Sequence, residues 1–116
     1  MKHILIVDDD AGITESLSTL LKEKYNVTVA SNGFAAIDKL KGHDFDLILL
    51  DLLMPGLDGA GFVHALRDRG NTTPILLISA TKSAAEKARI LKVTDYLLKP
   101  FHIDELEAKI ERLIGE

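Results

Sequence analysis

The sequence predicts an α/β domain of doubly wound (βα)5 type: five parallel strands between two layers of helices. Three observations carry this. First, Ile4-Leu5-Ile6-Val7, Leu47-Ile48-Leu49-Leu50 and Ile75-Leu76-Leu77-Ile78 are continuous apolar runs too short for helices. A strand buried on both faces reads this way. Second, stretches with apolar residues at helical spacing separate the runs. Third, the runs end on polar groups, Asp8-Asp9, Asp51 and Ser79. Strand–helix alternation gives a parallel sheet, and right-handed crossovers place helices on both its faces.

The elements follow in order. Ile4 to Val7 is strand one. Ile13, Leu17, Leu20 and Leu21 form one stripe of the first helix. Val27-Thr28-Val29 is a short β-branched strand after a break at Tyr25-Asn26. Gly33 opens a second helix carrying Ala36, Ile37 and Leu40, and Gly42 ends it. Phe45 to Leu50 is the most apolar strand and belongs near the sheet centre. Pro55-Gly56 and Asp58-Gly59 are turn signals. Phe62, Val63 and Leu66 give the third helix, stopped by Gly70-Asn71. Pro74 leads into strand four. Ser83 is expected to cap a fourth helix through Leu91, with Glu86 three residues beyond the cap. Leu91 to Asp95 has neither Gly nor Pro, and a short helix or 3₁₀ turn is expected there. Asp95 to Leu98 is the fifth strand, cut off by Pro100. Asp104 to Ile114 is the last helix, with Leu106, Ile110, Leu113 and Ile114 inward.

The bulk composition excludes several classes. With 116 residues the chain is one domain and not two. It has no Cys, so disulfides and thiolate metal sites are ruled out. No apolar stretch approaches the ~20 residues that span a bilayer, so a cytoplasmic protein without membrane contact is expected. The formal charge of −4 argues against direct nucleic-acid binding. The four His residues are scattered, without zinc-site spacing, and no Gly-rich nucleotide loop is present.

In a doubly wound sheet, residues just past the carboxyl ends of the strands line the binding crevice. Asp8, Asp9, Asp51, Ser79 and Lys99 all fall there. Three carboxylates in one crevice repel one another. A divalent cation relieves that repulsion, and an all-oxygen site suits Mg²⁺, with Mn²⁺ as a substitute. One task accounts for all five residues. Asp9 and Asp51 bind the metal directly, and Asp8 holds a metal-bound water. Asp51 attacks phosphorus, Lys99 and the metal neutralise the transferring oxygens, and Ser79 donates a hydrogen bond to them. Each residue alone has a plainer reading: Asp before a helix is a common cap, and Ser commonly ends strands. Asp10 is better placed to cap the first helix than to bind metal. The joint placement on one sheet edge carries the argument.

Val7-Asp8-Asp9, Leu50-Asp51-Leu52-Leu53-Met54-Pro55 with Asp58-Gly59, Ile78-Ser79-Ala80 and Asp95-Tyr96-Leu97-Leu98-Lys99-Pro100-Phe101 resemble the receiver domain of two-component response regulators, in order and across residues 1–116. The resemblance implies a flavodoxin-like three-layer sandwich with strand order 2-1-3-4-5. It implies that Asp51 is the phospho-acceptor and that Asp8 and Asp9 are the acidic pair. It makes the carbonyl of Leu53 a backbone metal ligand, Ser79 the switch hydroxyl, Lys99 the partner lysine and Tyr96 the aromatic switch. It also implies that Lys99-Pro100 is a cis bond. Leu53 and Thr81, each two residues beyond a site residue, are expected to modulate phosphoryl lifetime. The sequence departs from the family at Lys92-Val93, where a Gly-Ala pair is usual, and the fourth unit is about two residues short.

The expected function is a phosphorylation-dependent switch. A sensor histidine kinase or phosphotransfer protein donates the phosphoryl group to Asp51, and the face around helix 4, strand 5 and helix 5 then controls an output protein or domain. The chain is not an enzyme in the usual sense, since it catalyses only its own phosphorylation and dephosphorylation. The expected state is a monomer, with dimerisation on phosphorylation left open. A small Mg²⁺-dependent phosphatase is disfavoured because Leu53, not an acid, lies two residues after Asp51, and no lid is large enough to enclose a substrate. A constitutive scaffold is disfavoured by the complete set of site groups.

Overall fold

The computed structural model describes residues 1–52 and 58–115. The elements in chain order are β1 (His3–Val7), α1 (Ala11–Leu21), β2 (Asn26–Ala30), α2 (Gly33–Leu40), β3 (Leu47–Asp51), α3 (Gly59–Asp68), β4 (Ile75–Ser79), α4 (Ala84–Leu91), β5 (Asp95–Leu98) and α5 (Ile103–Ile114). The strands form one parallel sheet in the order β2-β1-β3-β4-β5. This is the flavodoxin-like (βα)5 sandwich the sequence predicts.

Strand alternation divides the core into two layers. Leu5, Val7, Ile48, Leu50, Ile75 and Leu77 pack with Ala36 of α2, Phe62 and Leu66 of α3, and Ala88 of α4. Ile4, Ile6, Leu47, Leu49, Leu76 and Ile78 face the other way, onto Leu17 and Leu21 of α1 and Leu106 and Ile110 of α5. β3 is buried from Leu47 to Leu50, which explains its unbroken apolar sequence. Each such side chain contributes about 1.5–3 kcal/mol on burial.

Three helices begin on a side-chain cap, at Asp10 for α1, Asn32 for α2 and Asp58 for α3. Each accepts backbone N–H groups that the first helical turn leaves unpaired. The sheet edge opposite the strand carboxyl ends is stitched by His3. Its N–H donates to Asp46 Oδ2 at 2.8 Å, its Nε2 lies 2.7 Å from Thr28 Oγ1, and its ring packs on Phe45. The Arg67 guanidinium donates to the carbonyls of Asn71 and Thr73, closing the α3–β4 turn. Partial burial lowers its pKa. Among the described residues no helix is long and apolar enough to cross a membrane.

Several boundaries differ from the sequence reading. β2 begins at Asn26, because its N–H bonds the carbonyl of Lys2 and extends the β1 ladder. Tyr25, read as part of a break, is buried in the α1/α5 layer. β3 starts at Leu47, and Phe45 packs in the core from the preceding loop. On α1 the buried stripe is Thr14, Leu17, Ser18 and Leu21, and Leu20 is exposed. The stripe centres between Leu17 and Ser18, so Leu20 falls on the solvent flank although its side chain is apolar.

The connection from α4 to β5 holds no further helix. Lys92 takes left-handed dihedrals (φ 57°, ψ 37°) and ends α4 directly. The N–H groups of Lys92 and Val93 bond the carbonyls of Arg89 and Ala88. Glycine is the usual residue for such a termination, because a Cβ in this region is strained. The departure from Gly-Ala noted above therefore has a cost. Lys92→Gly is expected to raise stability by about 0.5–1 kcal/mol, read as a melting temperature higher by a few degrees. An unchanged or lower melting temperature would show that the left-handed lysine is not strained.

Candidate functional site

The strand order reverses between β1 and β3, so a crevice opens at their carboxyl ends. Register and alternation place the acidic groups there. Ile4 and Ile6 of β1 face the α1/α5 layer, as do Leu47 and Leu49 of β3. Two residues further along each strand come Asp8 and Asp51. Leu97 of β5 shares that layer, and Lys99 lies two residues beyond it.

Asp8, Asp9 and Asp51 each offer an oxygen, all within 4.8 Å of one another. Asp8 is buried, Asp51 half-buried and Asp9 exposed. The run Asp8-Asp9-Asp10 divides into separate jobs. Asp8 Oδ1 accepts the N–H of Asp10 at 2.9 Å, which fixes its carboxylate. Asp10 Oδ1 accepts from Gly12 and Ile13 and caps α1. Asp9 is left to present its carboxylate at the crevice mouth.

Lys99 Nζ lies 3.4 Å from Asp8 Oδ2 and 4.0 Å from Asp51 Oδ2. It thus reaches the two deeper carboxylates from the β5 side. Its backbone is held by the 2.8 Å bond from its N–H to the Ser79 carbonyl. The Lys99-Pro100 bond is cis, as the resemblance implied. Ser79 is buried at the end of β4, and its Oγ accepts the N–H of Thr81 at 3.1 Å. Alternation along β4 turns Ser79 away from Ile78, toward the layer where Tyr96 packs. Tyr96 is half-buried, with Lys109 Nζ 5.7 Å from its ring centre. Lys109 and Arg112 also pair with Asp95, at 3.1 and 3.7 Å.

The structure therefore gathers Asp8, Asp9, Asp51 and Lys99 into one cluster, with Ser79 at the end of the adjoining strand. Leu53 lies outside the described residues. The sequence reading took Gly59 for a turn signal and part of the receiver-like motif, and missed its packing role. A Cβ there would stand 2.8 Å from both the Cα and the carbonyl oxygen of Leu52, and 3.1 Å from the backbone carbonyl oxygen of Asp51. Gly59 N–H donates to that Leu52 oxygen at 3.1 Å. The start of α3 is thus pressed against the backbone that carries Asp51. The only sequence signal for this was the Asp58-Gly59 pair itself.

The donor set suits a hard divalent cation. It is all oxygen, clustered and anionic, with a single nearby lysine among the described residues. The family comparison agrees. A family model described as the response regulator receiver domain matches residues 4–111. The chain belongs to this family. The cell cycle response regulator CtrA of Brucella abortus is 39% identical over 115 residues, covering 97% of this chain and 50% of CtrA. The chain thus spans about half the length of the curated relatives it matches. The receiver domain of Francisella response regulator 1452 superposes with a TM-score of 0.90 at 35% identity, over 99% of this chain and 98% of that one. TrrA of Thermotoga maritima, solved in complex with Mg²⁺ and BeF, gives 0.87 at 33% identity, over 97% and 99%.

Gly59→Ala tests the contact behind this receiver site. A methyl group against backbone atoms cannot be relieved by a side-chain rotation. The variant is expected to lose about 1–3 kcal/mol in denaturant unfolding. The loss should come with a weaker stabilisation by Mg²⁺, because the Asp51 backbone shifts. Wild-type stability in the variant would show that the packing is not tight.

Proposed function

We propose that residues 1–116 form one receiver unit that takes a phosphoryl group onto Asp51 from the phosphohistidine of a sensor kinase or phosphotransfer protein. The cluster of three carboxylates facing one lysine carries this reading. It costs stability unless something cationic, or a reaction needing cation-bound oxygens, occupies the crevice. The solved relative that holds Mg²⁺ and BeF supports the same cation and a phosphoryl-like occupant here.

Asp8, Asp9 and Asp51, with the Leu53 carbonyl, would hold Mg²⁺. When bound, the ion supplies positive charge against both the carboxylates and the phosphoryl oxygens. The remaining chemistry belongs to the chain. An Asp51 oxygen attacks phosphorus in line with the histidine nitrogen. A P–O bond forms, the P–N bond breaks, and the imidazole leaves carrying the electron pair and takes up a proton. The product is an acyl phosphate. Lys99 already contacts Asp8 and Asp51, so it meets the arriving charge without a long search. The Ser79 hydroxyl donates to a phosphoryl oxygen, and Tyr96 fills the space behind it. This is a population shift between two packings rather than a new fold. Thr81 and Leu53, each two residues beyond a site residue in the sequence, would set the lifetime of the phosphoryl group. The output face is α4, β5 and α5, and it acts on a partner or attached domain.

Incubation with acetyl phosphate and Mg²⁺, followed by intact mass, checks the reading. One phosphoryl adduct is expected on wild type. Asp51→Ala should give none, and omission of Mg²⁺ should suppress the adduct in wild type. An equal adduct on Asp51→Ala would place the acceptor elsewhere.

A further inference from the structure

Residues Ser83-Ala84-Ala85-Glu86 spell a capping box, a hydroxyl at the N-cap followed three residues later by Glu. The structure does not make it. Ser83 stands at the N-cap of α4, but its side chain forms no cap hydrogen bond. Its dihedrals are φ −88° and ψ 11°, whereas Asp10, Asn32, Asp58 and His102 occupy the N-cap positions of their helices with extended backbone. The Glu arm of such a box is made in α5, where Glu105 Oε1 accepts the His102 N–H at 3.1 Å.

The reason lies in Thr81. Its Oγ1 takes both groups of Ser83 that a box would use. It pairs with Ser83 Oγ at 3.0 Å and accepts the Ser83 N–H at 3.3 Å. Thr81 is itself held from behind, since its N–H donates to Ser79 Oγ at 3.1 Å. A turn bond from Ala84 N–H to the Thr81 carbonyl closes the segment. A chain of hydrogen bonds thus runs from the Ser79 hydroxyl through the backbone and hydroxyl of Thr81 to Ser83, at the start of α4. That helix is weakly anchored: it has eight residues, and only Ala84 and Ala88 are buried.

We propose that Ser83 is a positioning residue of the switch, which exchanges Thr81 for the Glu86 N–H when Ser79 turns to the phosphoryl group. Loss of the Ser79 Oγ acceptor frees Thr81. Ser83 then rotates to extended backbone, its Oγ caps Glu86, and the Glu86 carboxylate accepts the Ser83 N–H. α4 is capped in the phosphorylated state and uncapped in the resting one. The inference rests on the phosphoryl-accepting reading above and adds to it the route by which the site reaches α4.

Amide exchange on the whole chain, in Mg²⁺ with and without beryllofluoride, tests the exchange of partners. In wild type the Glu86 amide should slow about fivefold when the mimic binds, the worth of one cap. Ser83→Ala should abolish that change and leave the resting exchange of α4 at its wild-type rate. Ser83→Thr should restore the response. By reciprocity Ser83→Ala should also bind the mimic about fivefold more weakly. Unaltered Glu86 exchange in wild type with the mimic bound would overturn the inference. So would Ser83→Ala speeding α4 exchange equally in both states, the mark of an ordinary cap. If the mimic leaves the Asp51 and Leu52 amides unshifted at saturating Mg²⁺, the phosphoryl-accepting reading itself fails, and the Ser83 switch with it.

Discussion

Mutual repulsion among Asp8, Asp9 and Asp51 is the constraint on which the rest of this structure depends. Their oxygens lie within 4.8 Å of one another, and one lysine reaches the inner two. At such spacing a pair of like charges costs on the order of a few kcal/mol, even at a high effective dielectric. That is a large fraction of the stability of a small domain. The buried sheet supplies the opposing free energy. Continuous apolar strands, covered on both faces, hold the strand ends rigid enough to keep the charges together.

The same rigidity holds the groups of the site in place. Asp8 is fixed by the Asp10 N–H, Asp51 by the strand behind it and by Gly59 pressed against Leu52, and Lys99 by the Ser79 carbonyl. Little reorganisation is needed when a cation and a phosphoryl group arrive. The β4–α4 segment is held differently, by hydrogen bonds of Thr81 to Ser79 and Ser83, and the short helix that follows ends on the left-handed Lys92. On the proposed reading, the reacting groups and the switch groups sit on adjoining strands and meet at Ser79.

Much of this was legible in the sequence because burial writes itself plainly into β1, β3 and β4. Their apolar tetrads fixed the strands, and the residues following them fixed Asp8, Asp51 and Ser79 at one edge. Lys99 was legible only jointly, since a single Lys before Pro100 carries almost no signal. The less legible parts depend on contacts between distant residues. Leu20 looks like core by type, yet the α1 stripe turns it to solvent. Gly59 reads as a turn, because nothing local reveals that it abuts Leu52. Ser83 has the sequence of a capping residue and is diverted by Thr81, a competition between two hydrogen-bond partners that spacing alone cannot decide. Lys92 has no local propensity for a left-handed cap, yet it takes one where its N–H and that of Val93 close the last turn of α4.

The charge constraint is tested most directly by unfolding wild type and Asp9→Asn at low salt, each with and without Mg²⁺. Asp9 is exposed and makes no cap, so its substitution changes charge with little change in packing. Without metal, Asp9→Asn should be the more stable protein, because one like charge is gone. With Mg²⁺, wild type should gain stability by mass action, and the variant should gain distinctly less. Equal gains in the two proteins, or a metal-free Asp9→Asn no more stable than wild type, would contradict the claim that repulsion among these carboxylates shapes the site.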